Sequence, residues 1–156
     1  VRVDVQVEGL TETLRAFNRY GKQANKELRQ AAGAEVDRII PALTAAGTVA
    51  GKQAAMTATS VRRRSDRVPV ITAGGTRRVQ PSGRGKRKVS AGDVFFGAEF
   101  GGGGRPTTRQ FPPYRGHTGY WFWPTIRHHL PELRRRYIRA LDELAARWAL
   151  GGNERG

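Results

Sequence analysis

Three histidines, His117, His128 and His129, and one carboxylate set among aromatics, Glu99, are the residues of this chain best suited to proton or metal chemistry. A metal centre or a histidine acid–base needs a second group held at ligand or hydrogen-bond distance. His128 and His129 are adjacent, and on a helix they point about 100° apart, so they do not share a face. They read as surface or helix-start histidines. The other carboxylates are scattered over polar helix faces, and no Ser-His-Asp set or acidic metal cluster is visible. Glu99 lies between Phe96 and Phe100, where it either ionises against an arginine of a neighbouring subunit or takes the wet face of a strand. The absence of cysteine removes disulfides, thiolate catalysis and cysteine-held zinc. The glycine run Gly101 to Gly104 lacks the Lys-Ser/Thr ending of a phosphate loop. No catalytic residue, metal ligand or cofactor is expected, and the chain is read as no enzyme.

Charge is the stronger signal. Against 28 Lys and Arg stand 13 Asp and Glu, a formal net charge of +15. An excess of that size implies an anionic partner, nucleic acid or an acidic protein surface. Ten of the cations fall in one stretch: Arg62, Arg63, Arg64, Arg67, Arg77, Arg78, Arg84, Lys86, Arg87 and Lys88. Such a cluster can neutralise phosphates without reading sequence, which makes binding steeply salt-dependent. Aromatics do not interleave with these arginines, so the stacking platform of a single-strand binder is missing from the stretch.

These groups need elements to position them. Val1, Val3, Val5 and Val7 alternate with polar residues, the period of a half-buried strand. Beyond Gly9, apolar residues from Leu10 to Leu43 recur at helical spacing, with Thr11 placed to cap a long helix. Pro41 should kink or end it near Ile40. Residues 48–91 are small, polar and basic, and read as an arm inserted within a single domain spanning 1–156. Within the arm only Val68 to Gly74 is apolar, and Pro69 points to an edge strand. "RRVQPSGRGKRK" has the composition of a hairpin tip.

"DVFFGAEFG" then reads as a central strand from its aromatic and β-branched content. "GYWFW" adds a strand end, and Pro124 suits the first turn of a last helix, which Pro131 kinks or restarts and Gly151 and Gly152 stop. Leu, Ile, Val and Phe make up only about a fifth of the chain, near the level at which high charge argues for disorder. The core therefore concentrates where the aromatics are. Phe95, Phe96, Phe100, Trp121, Phe122 and Trp123 are the expected core and subunit contacts, each able to bury roughly 150–250 Å². The expected fold is α+β: an antiparallel sheet of about four strands packed against a long N-terminal helix and a C-terminal helix, with a long basic hairpin arm. No apolar run approaches the ~18 residues of a membrane span, and the first residues lack a signal-peptide apolar region. A soluble, unexported chain without membrane contact is expected.

Three segments carry a family likeness: "VEGLTETLRAFNRYGKQANKELRQAAGAEV", "FFGAEFGG" and "GYWFWPTIRHHLPEL". In their order they resemble the opening strand and long helix, the aromatic strand ending in Glu-Phe-Gly, and the aromatic-Pro lead-in to the final helix of the tail-completion, or head-tail joining, proteins of long-tailed bacteriophages. The likeness covers about half of the chain. The basic stretch from Thr48 to Ala91 and the lengthened glycine turn depart from the pattern. What the resemblance implies is a structural virion protein of the neck, assembled in the host cytoplasm, with no reaction catalysed. Its partners would be copies of itself in a ring of six, the head-side connector, the tail terminator or tail tube, and genomic DNA in the channel. The competing reading is a freestanding basic DNA- or RNA-binding module.

Overall fold

The structure, a computed structural model, describes residues 1–4, 10–79, 89–102 and 110–151. Helices dominate. In chain order the elements are β1 (Arg2–Asp4), α1 (Leu10–Arg19), α2 (Gly21–Ala50), α3 (Lys52–Ala58), β2 (Arg62–Arg64), β3 (Val70–Thr72), β4 (Arg78–Val79), β5 (Val89–Ser90), α4 (Ala91–Phe100), a 3₁₀ turn (Gly116–Thr118) and α5 (Phe122–Gly151).

The 30-residue helices α2 and α5 form the spine. They run antiparallel, as their shared clusters require. Phe17, Ala24, Leu28 and Ala32 pack with Tyr137, Leu141 and Leu144 at one end. Val36, Ile39 and Leu43 join Trp121, Phe122, Ile126 and Leu133 at the other, together with residues of α3, β3 and α4. The α+β class holds at this level, but the expected four-stranded sheet does not. Three strands pair antiparallel in the order β1-β3-β2, and β4 pairs with β5 in a separate ribbon. Strands of two or three residues bury too little to lead the fold, so the sheets flank the helices.

The expected single N-terminal helix is two. Gly21, at φ 85°, separates α1 from α2, a backbone conformation that glycine adopts without steric penalty. Thr11 sits inside α1 instead of capping it. Pro41 does not end α2, nor Pro131 α5. Both prolines are exposed, so each missing N–H lies on the wet side of its helix. An interior proline costs about 3 kcal/mol. Fully burying a side chain such as Leu43 just beyond Pro41 stabilises by roughly 1.5–3 kcal/mol. Packing on both sides of the proline thus carries α2 through.

The described part of residues 48–91 is not a protruding arm. α2 continues to Ala50, and α3 buries Ala54, Thr57 and Ala58 between α2 and α4. Contact there is close: a Cβ on Gly47 would lie 2.6 Å from the Ala58 Cβ and 3.1 Å from the Trp121 ring. β2 and β3 do form a hairpin, registered Arg62 to Thr72 and Arg64 to Val70, but Ile71 and Ala73 belong to the core. β3 is the central strand, against the expectation of an edge. Pro69 precedes the ladder, so its missing N–H interrupts nothing. Of the hairpin tip assigned to residues 77–88, only 77–79 are described, with Arg78 and Val79 in β4; 80–88 lie outside the described residues, as do Val5, Val7 and the glycines Gly103 and Gly104.

The largest departure is "AGDVFFGAEF". It is helix α4, not a central strand. Ser90 forms a capping box with Asp93: the Asp93 N–H donates to Ser90 Oγ at 3.2 Å, and the Ser90 N–H donates to Asp93 Oδ2 at 3.0 Å. Ala91, Val94, Phe95, Ala98 and Glu99 are buried, the i, i+3, i+4, i+7 spacing of one helical face. Strand propensity at Val94, Phe95 and Phe96 yields to that packing. "GYWFW" likewise holds no strand, since the chain bends at Tyr120 and Trp121 and Phe122 already begins α5.

Candidate functional site: an aromatic groove over a buried carboxylate

The C-terminal turn of α4 and the N-terminus of α5 meet at Glu99, which is fully buried. The N–H of Trp121 donates to Glu99 Oε2 at 3.2 Å and that of Phe122 to the same oxygen at 2.8 Å; the N–H of Trp123 donates to Oε1 at 2.9 Å. The next residue, Pro124, has no N–H. One carboxylate from another helix therefore satisfies the orphan donors of α5's first turn, and its negative charge suits a helix N-terminus. The carbonyl of Glu99 also accepts from the Tyr120 N–H at 2.8 Å. Burial pushes the Glu99 carboxyl above its ordinary range, and the backbone donors at 123, 122 and 121 pull against that shift. Glu99 is thus neither on a wet strand face nor poised for an arginine of another subunit, because its oxygens are occupied within the chain. A Cβ on Gly119, which sits at φ 74°, would overlap Glu99 Oε1. Glycine at 119 keeps the space that the carboxylate fills.

Around this point the six aromatics divide. Phe95, Trp121 and Phe122 are fully buried and meet edge to face. Trp123 and Phe100 are partly buried. Phe96 is 60% exposed and stacks on Phe100 with ring centroids 6.3 Å apart. The segment from Phe111 to Tyr120 wraps the end of α4. Gly102 N–H donates to the Pro112 carbonyl and Arg115 N–H to that of Phe100, both at 2.8 Å. The Phe111 ring lies where a Cβ on Gly97 would be, 2.7 Å away. The result is an open groove of about 360 Å³ with Phe96, Phe100, Tyr114 and His117 as walls and Gly97, Gly101 and Gly116 as floor. Tyr114 is 64% exposed.

The basic residues singled out from sequence are not one patch. Arg62, Arg63 and Arg64 form β2, an edge strand exposed along its length, where charge also discourages pairing with another chain. Arg63 turns to α2 and meets Asp37 at 2.7 Å. Arg67 donates to Asn18 Oδ1 at 2.8 Å, and its carbonyl accepts from the Tyr137 hydroxyl. Arg77 donates to the Thr59 carbonyl at 2.6 Å. Arg78 is exposed on β4. Arg84, Lys86, Arg87 and Lys88 lie outside the described residues.

A mixed-charge groove between α2 and α5 holds a further arginine cluster that the sequence reading does not single out. Arg38 of α2 and Arg135, Arg136 and Arg139 of α5 line a groove of about 480 Å³ shared with Glu35, Glu132 and Glu143. Glu132 holds both Arg135 and Arg136. The run "LRRRYIR" was its signal. Among the described residues no group of three or more His, Asp or Glu could hold a metal ion. His128 and His129 contact each other edge to face at 4.9 Å. No helix among them is long and apolar enough to cross a membrane. Comparison with protein-family models, curated proteins and solved structures returns no match.

Proposed function

We propose that the chain is a structural subunit of a bacteriophage neck, a tail-completion or head-to-tail joining protein that assembles with copies of itself into a ring between the head-side connector and the tail tube. The observation that carries this reading is the convergence of the three segments on which the family likeness rests. The first ends at Val36, which shares a core cluster with Trp121, Phe122, Ile126 and Leu133 of the last. Glu99 of "FFGAEFGG" caps the helix that "GYWFWPTIRHHLPEL" begins. Motifs that depend on one another structurally are expected to occur together, as they do in the family the sequence resembles.

In this reading the protein works by shape and charge, without catalysis. A ring of +15 subunits presents a strongly positive surface to DNA in the channel or to acidic neighbours, which speeds and aligns docking. Light scattering and negative-stain imaging of the purified chain, alone and with tail tubes, test it. Rings, or density capping one tube end, are expected; a persistent monomer that ignores tubes overturns it.

A second reading, a freestanding DNA- or RNA-binding module, draws on the arginines of β2 and of the α2–α5 groove. Filter binding over a salt series separates the two. Tight binding by isolated subunits, with a slope reflecting many phosphates, favours the module.

A further inference from the structure

We infer that the groove on α4 is a docking site for a segment of another protein that presents an apolar side chain between acidic residues. The inference stands whether or not the chain forms rings. It begins from exposure: Phe96 and Tyr114 are each more than half exposed and face one groove. Scattered surface aromatics need no explanation, but several converging on one concave site mark a contact surface.

Charge selects the occupant. From Phe100 to Pro131 the sequence has no acidic residue but has four arginines. Two of these flank the 3₁₀ turn that carries His117. Arg115 precedes it, 5.1 Å over the Tyr120 ring, and Arg127 donates to the Thr118 carbonyl. Both are exposed; Arg115 lies between the lining residues Tyr114 and Gly116, and Arg127 is held beside His117, so acidic flanks of a bound segment would meet cations next to the groove. A second copy of this chain, with 13 Asp and Glu among 28 Lys and Arg, has few acidic segments to offer these two arginines. Single-stranded nucleic acid needs cations tracking its backbone beside the stacking rings. Here no arginine lines the groove between the rings, and the two nearby cations are both at the 3₁₀ turn.

The test is fluorescence anisotropy at about 0.15 M salt, where long-range attraction is screened. The probe is a short labelled peptide with Leu-Trp-Leu between runs of Asp and Glu. Controls carry Lys flanks or a Ser centre, and an oligo-dT strand is the competing ligand. The acidic peptide is expected to bind and both control peptides to fail. Phe96→Ser and Tyr114→Ser should each weaken binding about tenfold, the loss of one central contact. Val49→Ser, an exposed change at the end of α2, should leave it intact. Circular dichroism is expected to be native for all three variants, because none of the side chains is in the core. Equal binding by wild type and both groove variants overturns the inference, as does no binding by wild type. Phe96-dependent binding of oligo-dT would give the groove to nucleic acid instead. Self-association by sedimentation that Phe96→Ser abolishes would give it to a second copy.

Discussion

Phe95 and Phe96 are neighbours on one helix and have opposite fates. Phe95 has no exposed surface and packs edge to face against Trp121 and Phe122, whereas Phe96 is 60% exposed and leans on Phe100. The inner face of α4 ends in a carboxylate whose hydrogen bonds are all made within the chain; the outer face ends in an open groove. Stability and recognition are thus assigned to opposite sides of a ten-residue helix. Mutations on the two sides should separate them.

The largest effect belongs to the inner face. Phe95→Ala removes a fully buried ring from the junction of α4, α3 and α5 and should destabilise by roughly 3–5 kcal/mol. Phe96→Ala should stay within about 0.5 kcal/mol, as for a surface substitution away from special features. Paired denaturant melts read the contrast directly. Equal losses would mean that the two faces are not distinct.

How far the sequence disclosed this arrangement depends on which signal governed each stretch. The periodic apolar residues of α1, α2 and α5 were legible because those helices bury one stripe each. The strand assigned to "DVFFGAEFG" failed because aromatic and β-branched residues favour strands only where a sheet receives them. The helical spacing of Val94, Phe95, Ala98 and Glu99 and the Ser90–Asp93 box were present in the sequence but outweighed. Neither Pro41 nor Pro131, each expected to kink its helix or break it, ends one, for a related reason: propensity is local, and burial on either side overrides it. Glu99 drew attention as an acid among aromatics, yet nothing local could reveal that its partners lie more than twenty residues on, at the start of α5. The basic stretch was visible as charge, but charge does not say whether an arginine faces solvent, an aspartate or a carbonyl.

A smaller effect should come from Gly119→Ala. The added methyl meets Glu99 Oε1 and also forces an L-residue to φ 74°. Backbone strain of this kind costs on the order of 1–3 kcal/mol. The variant should melt earlier than wild type, while acidic-peptide binding at the groove falls only as far as the end of α4 is displaced. Unchanged melting would show that the carboxylate can move aside, and that the capping geometry is less constrained than the buried contacts suggest.

The smallest effect expected is in pH, and it asks which force dominates at the inner face. Burial raises the folded-state pKa of Glu99, while the backbone N–H groups of Trp123, Phe122, Trp121 and Tyr120 oppose that rise. With burial the larger influence, the folded chain takes up the Glu99 proton at a higher pH than the unfolded chain does. As pH falls from the raised folded value toward the ordinary carboxyl value, the folded state then binds more protons than the unfolded one, and stability from this group increases. Glu99→Gln has no such titration. The difference in melting temperature between wild type and Glu99→Gln should therefore shift in favour of wild type as the solution is acidified through that window. A shift in the opposite direction would mean that the helix N-terminus holds the ionised carboxylate more strongly than burial penalises it. In that case the inner face of α4 would be held by a charge that acid removes, and the cap would loosen as pH falls.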